Sequence, residues 1–132
     1  IDYNRILGKK YEPYMPSVLE QEKDVYILKG QIGNRGKVRG KVKIILAEEL
    51  DGAVLAKGDI LVCDMTTPSY VPLMKLAAGI ITNRGGILTH AAIVSRELGL
   101  PCLVATNDAT NVLYDGQKIE LDAEIGIIRL LS

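Results

Sequence analysis

Tryptophan and phenylalanine are absent from this sequence, and histidine occurs once, as His90. Without the two largest apolar aromatics, core volume must come from Ile, Leu, Val and Ala, helped by a few of the six tyrosines. No apolar run approaches the roughly 18 residues of a membrane span, so none is expected. An excess of one charge is missing too, since 16 basic residues balance 16 acidic ones. That balance removes the long-range field of a nucleic-acid or anionic-membrane binder. The two cysteines, Cys63 and Cys102, lack CxxC spacing and read as buried free thiols; with no signal peptide, they favour the cytoplasm. There is no GxxxxGK(S/T) loop, so ATP is expected to bind elsewhere. With scattered carboxylates and one histidine, no bound metal is expected on this chain.

The 132 residues suit one domain with a real core. The start at Ile1, not Met, favours a domain excised from something longer. Residues 1–24 mix charge, tyrosine and two prolines with little periodicity, which predicts an arm or interdomain linker with a short helical turn near 17–23. The compact domain is expected over 25–132. Val38, Gly40, Val42, Ile44 and Leu46 alternate with Lys37, Arg39, Lys41 and Lys43, the period of a long half-buried strand with one basic face. Such a row reads either as a solvated face that discourages edge pairing or as a docking face for an acidic partner.

Ile60 to Cys63 is a short continuous apolar run, as expected of a covered strand. Thr66 and Thr67 offer caps for a helix through Val71, Leu73, Met74, Leu76 and Ala77 that ends at Gly79. Gly79 to Thr82 predicts a second buried strand. A helix from about Thr89 to Leu98 follows, closed by Gly99 and Pro101, and Cys102 to Ala105 resumes a strand. Two more strands are expected at 118–122 and 126–131. Strand, helix, strand, helix is the order of an α/β domain.

The chemistry concentrates in Thr82-Asn83-Arg84-Gly85-Gly86-Ile87-Leu88-Thr89-His90-Ala91-Ala92-Ile93-Val94-Ser95-Arg96. Two adjacent glycines allow unusual φ and the close approach of a ligand just before a helix begins. With Thr89 as N-cap, His90 falls in the first turn, beside unpaired N–H groups that favour anions. A histidine nucleophile must be neutral, attacking through a ring-nitrogen lone pair. Taken alone, these residues leave open whether His90 attacks phosphorus or merely caps and packs. Ala91, Val94 and Leu98 form the stripe expected to pack on the sheet.

Gly85-Gly86, then His90, then small-small-aliphatic-aliphatic-small-Arg over Ala91 to Arg96 resemble the phosphohistidine signature of the phosphoenolpyruvate-utilising enzymes. That family includes phosphoenolpyruvate synthase, pyruvate phosphate dikinase, enzyme I of the sugar phosphotransferase system and rifampicin phosphotransferase. The similarity extends through Gly36 to Gly40, Gly58 to Val62, Thr67-Pro68 and Arg96 to Pro101, covering about residues 30–131. One position departs. Leu88 stands where most of the family has Thr, Ser or Asn, which is more like the rifampicin phosphotransferase and some synthase-like branches; leucine cannot accept the regulatory phosphate that plant dikinases carry there.

The resemblance implies a swivelling three-layer β/β/α domain with a mixed sheet and the phosphohistidine at a helix N-terminus. It implies that His90 carries a phosphoryl group between a nucleotide-binding domain and an acceptor domain for pyruvate or another acceptor, in the same or a partner chain. Mg²⁺ and ATP or phosphoenolpyruvate would then belong to those domains, and this one would be inactive alone. Gly85, Gly86, Thr89 and Arg96 would support the histidine. Arg96 either braces the glycine loop or touches phosphate, Arg84 is either a solvated loop charge or a phosphate contact, and Thr89 is either a cap or a proton relay. Two rival readings are a noncatalytic swivelling module and a basic-faced binding protein, the latter predicting salt-sensitive affinity and indifference to His90.

Overall fold

The period-two stretch forms strand β3, Lys37–Ile44, although it stops two residues short of Leu46. A computed structural model describes residues 26–131; the expected linker and helical turn within residues 1–24 lie outside the described residues. The buried runs become β4, Ile60–Cys63, β5, Gly79–Thr82, and β6, Cys102–Val104. The tail supplies β7, Lys118–Asp122, and β8, Ile127–Leu130. Two short strands unforeseen in the sequence precede them: β1, Leu28–Lys29, and β2, Gln31–Asn34.

The eight strands run in the order β1-β8-β7-β3-β4-β5-β6-β2. From β3 to β6 every pairing is parallel, and the flanking pairings β3–β7, β7–β8, β1–β8 and β2–β6 are antiparallel. β1 and β2 stand at opposite ends of that order yet only Gly30 separates them, so the mixed sheet curls until nearly closed. Gly30 donates its N–H to the Gly126 carbonyl at 3.0 Å, and a Cβ there would sit 2.4 Å from the Val104 carbonyl oxygen. Only glycine fits that seam.

Alternation along β4 explains the layers. Ile60 and Val62 face a core shared with Val42, Leu103, Ile119, Leu121 and Ile128, between the two halves of the sheet. Leu61 and Cys63 face the other way, against Tyr70, Met74, Ile80 and Ala91, under the helices. The result is the three-layer β/β/α arrangement, with an aliphatic core in which Tyr70 is the large aromatic, its hydroxyl donating to the Ile45 carbonyl at 2.9 Å. Cys63 and Cys102 are buried and unbridged. No helix among the described residues is long and apolar enough to cross a membrane.

Three helices join these strands: α1, Val71–Met74, α2, His90–Leu98, and α3, Ala109–Val112. The helix expected through Val71 to Ala77, capped by Thr66 or Thr67 and ending at Gly79, is cut to a 3₁₀ turn at Pro68–Tyr70 followed by the single turn of α1. Pro68 and Pro72 lie four residues apart, and each removes an N–H donor, so no continuous ladder can run through both. Helix α2 ends as expected, with Gly99 left-handed at φ 73°. The expected stripe packs on the sheet side, with Ala91 buried and Val94 and Leu98 half-buried against the same core, and Ala92 and Ser95 add to the buried face.

The basic row is a solvated face, with Lys37, Arg39 and Lys41 exposed, but it does not guard an edge. β3 lies in the middle of the sheet, and register sets Lys37 opposite Asp122, Arg39 opposite Glu120 and Lys41 opposite Lys118. Arg39 Nε donates to Glu120 at 3.0 Å, and Lys37 lies 3.8 Å from Asp122. The acidic partner sought for this row therefore comes largely from β7 of the same chain.

Candidate functional site

The crossovers β4–α1–β5 and β5–α2–β6 bring the C-terminal ends of β4 and β5 beside the start of α2, the usual position of a site in parallel sheets. Asn83 N–H donates to the Cys63 carbonyl at 3.1 Å and Arg84 N–H to the Asp64 carbonyl at 3.0 Å, extending the parallel pairing into the loops. Between them opens a cleft lined by Met65, Thr66, Arg84, Gly85, Thr89, His90 and Ala91.

His90 is half-buried at the first position of α2. Its Nδ1 lies 2.8 Å from Thr66 Oγ1, and no group among the described residues hydrogen-bonds Nε2. Thr66 is itself buried. Thr66, read from the sequence only as a helix cap, is thus the hydroxyl that meets the imidazole. Nothing in the local pattern signals a pairing across 24 residues; only the adjacency of two parallel strands creates it.

The two glycines differ. Gly85 has φ +121°, and a Cβ there would come within 3.1 Å of the Thr89 side chain. Gly86 has no such constraint; its role is to offer a carbonyl, which accepts from Thr89 Oγ1 at 2.7 Å and from Thr89 N at 3.2 Å. Thr89 occupies the N-cap position but its hydroxyl points back to Gly86, so no side chain caps the first turn of α2. The amides there remain available to an anion.

Arg96 turns its guanidinium away from the cleft. Its Nε donates to the Gly33 carbonyl at 3.0 Å and its Nη2 to the Ile87 carbonyl, tying β2 to the glycine loop. Arg84 stays at the cleft and pairs with Asp64, with Nε to Oδ2 at 2.9 Å. Asp64 was not anticipated from the sequence. Hydrogen bonding from Arg84 outweighs the effect of partial burial and holds its carboxyl below the usual range, with Asn83 contributing. The thiols are poor alternative nucleophiles. Burial pushes Cys63 up to about 12, with Cys102 and Asp64 adding to it, and pushes Cys102 up to about 11.

Met65, which lines this cleft, and Ile87 and Leu88, in the loop that leads from the glycines to Thr89, are exposed, Leu88 to 81%. Exposed apolar side chains grouped beside a site are characteristic of a surface that meets a partner.

The chain is 49% identical over 111 residues to a probable phosphoenolpyruvate synthase of Archaeoglobus fulgidus, an overlap of 84% of this chain and 15% of that protein. It is 46% identical over 110 residues to the phosphoenolpyruvate synthase of Pyrococcus furiosus, an overlap of 83% and 13%. An uncharacterized phosphotransferase of Bacillus subtilis is 41% identical over 126 residues, 94% of this chain and 15% of that one. The chain therefore spans about one-seventh of the length of these three relatives.

Among solved structures, an Enzyme I protein determined by NMR in solution is 28% identical with a TM-score of 0.51, covering 58% of this chain and 32% of that chain. Aconitase X from Thermococcus kodakaraensis reaches a TM-score of 0.60 at 22% identity, over 80% of this chain and 98% of that one; this likeness shows a shared fold alone. The family described as PEP-utilising enzyme, mobile domain, matches residues 55–126. Sequence signature, strand order and relatives agree, and the chain belongs to the mobile-domain family of PEP-utilising enzymes.

Proposed function

We propose that this chain is the phosphocarrier domain of a multidomain phosphotransferase, with His90 taking a phosphoryl group from a nucleotide-binding domain and passing it to an acceptor domain. The observation that carries the reading is the imidazole itself, which lines the cleft with Nδ1 against Thr66 Oγ1 and Nε2 without a hydrogen-bond partner among the described residues. When Nδ1–H donates to Thr66, the lone pair resides on Nε2, the nitrogen that faces an incoming phosphorus. Attack forms the Nε2–P bond as the donor's P–O bond breaks, and the leaving oxygen keeps the electron pair. The ring gains positive charge in that step, so the Nδ1–H bond to Thr66 strengthens as the reaction proceeds, which favours the transition state over the ground state. The second transfer reverses these changes on the acceptor. Two ordinary displacements thereby connect sites on separate domains.

Mg²⁺ and ATP or phosphoenolpyruvate belong, in this reading, to the partner domains. The cleft does not suit Mg²⁺, because the neighbouring carboxylate, Asp64, has one oxygen on Asn83 at 3.2 Å and the other on Arg84. Pyruvate, which becomes phosphoenolpyruvate on taking the phosphoryl group, is the acceptor favoured by the names of the archaeal relatives. Unbridged buried thiols suit a reducing cytoplasm.

The test combines this chain with its partner domains and labelled ATP or phosphoenolpyruvate, then maps the label. Acid-labile, base-stable label on the peptide containing His90 supports the reading, and label confined to any other residue sinks it. Thr66 gives a second measurement. Thr66→Val keeps the shape but leaves Nδ1–H without an acceptor, so transfer is expected to slow about 10- to 100-fold, the order of loss when the hydrogen bond that orients a metal-binding histidine is removed. Thr66→Ser should retain most of the rate. Equal rates in wild type and Thr66→Val would show that the tautomer is set elsewhere.

A further inference from the structure

The cleft that holds His90 has a charged wall that the phosphocarrier reading leaves unused. Arg84 and His90 line the same cleft, one from the loop after β5 and the other from α2. The guanidinium is held from one side only. Nε and Nη2 both donate to the single oxygen Oδ2 of Asp64, and Nη2 also approaches Met65 Sδ at 3.3 Å. Nη1 donates to no group among the described residues, and the side chain is 65% exposed. Asp64 is itself anchored, through Asn83 Nδ2 on Oδ1.

We infer that Arg84 is the phosphate-binding cation of this cleft, engaging the oxygens of the phosphoryl group while it resides on His90, with Asp64 as its resting partner. The inference rests on the phosphocarrier reading of His90. A phosphoryl group offers three acceptor oxygens and about two negative charges where Asp64 offers one oxygen to Arg84, and a planar fork suits phosphate geometry. The resting pair is exposed on both members, at 65% and 41%, so changing partner costs little. Arg96 does not line this cleft, and its guanidinium ties the Gly33 and Ile87 carbonyls together instead. The charged groups facing the phosphoryl position are therefore Asp64 after β4, Arg84 after β5 and His90 on α2. Arg84 makes and breaks no covalent bond; it neutralises the oxygens while nitrogen and phosphorus join or part.

The test phosphorylates the 132-residue chain with phosphoramidate and follows the phosphorus resonance of phosphohistidine against pH. Removing a cation a few ångströms from the phosphoryl oxygens should raise their titration midpoint by about one pH unit in Arg84→Gln. Arg84→Lys should recover most of that shift. Asp64→Asn removes the competing anion and should move the midpoint the other way. A midpoint unchanged in Arg84→Gln, or raised alike in Asp64→Asn, overturns the inference and leaves the phosphocarrier reading standing. Failure of His90 in the folded chain to take up phosphoryl sinks both.

Discussion

Replacing His90 with alanine should abolish acid-labile label on this chain and cut phosphoryl transfer between its partner domains by about 10⁴-fold or more, the order of loss seen when a covalent nucleophile is deleted. The phosphocarrier reading makes this stricter than an ordinary active-site loss. Donor and acceptor occupy different domains, and no other nucleophile in the cleft can bridge them: the lining residues besides His90 are Met65, Thr66, Arg84, Gly85, Thr89 and Ala91. Neither hydroxyl is activated by a base other than the histidine itself. Stability should change little, because His90 is half-buried, starts a helix that alanine favours, and makes one side-chain hydrogen bond. A shift within about 1 kcal/mol of wild type is expected in urea unfolding. His90→Gln adds a control, since its amide can still meet Thr66 but cannot hold phosphorus. Transfer surviving in either variant would mean that phosphate passes directly between the partner domains, leaving the swivelling module as a scaffold.

Much of this site was legible in the sequence, and the part that was not is the part that tertiary adjacency creates. The apolar runs at Ile60–Cys63 and Gly79–Thr82 announced covered strands, because a parallel sheet buried on both faces shows no alternation. Gly99 and Pro101 announced the end of α2, since a left-handed cap and a missing N–H are local facts. β1 and β2 escaped notice. They are too short to show a period, and the glycine between them serves a seam whose other side is the chain's far end. Thr66 and Asp64 escaped for a related reason: each meets its partner, His90 or Arg84, through the parallel pairing of β4 and β5, which no spacing encodes. The basic row was visible as a row, but its meaning depended on the register that sets Glu120 and Asp122 against it.

That register leads to the second large effect, in stability. Arg129→Met is expected to destabilise the domain by about 3–5 kcal/mol at pH 7, the cost of breaking a buried ion pair by removing one member. Nη1 of Arg129 lies 2.9 Å from both Glu120 Oε1 and Asp122 Oδ2, and both carboxylate residues are buried, at 6% and 3% exposure. Arg39 and Lys37 also reach these carboxylates, but their side chains are 70% and 55% exposed, so each contributes about 0–1 kcal/mol. Burial pushes both carboxyls up, and hydrogen bonds and nearby cations more than reverse it: Arg39, Lys37 and Arg129 at Glu120; Arg129, the Glu124 amide and Lys37 at Asp122. Both therefore titrate below the usual range in the folded state. Lowered folded values mean that this stability is fully present above the ordinary carboxylate pKa, near pH ~4, and drains away as pH falls through the folded values. In Arg129→Met the burial effect gains ground, so the two carboxylates become a liability when charged and a smaller one when protonated. The gap between the unfolding curves of variant and wild type should thus be widest at pH 7 and shrink markedly by about pH 3. A gap of equal size at both pH values would instead assign the loss to packing of the arginine stem, which the thioether of methionine only partly replaces.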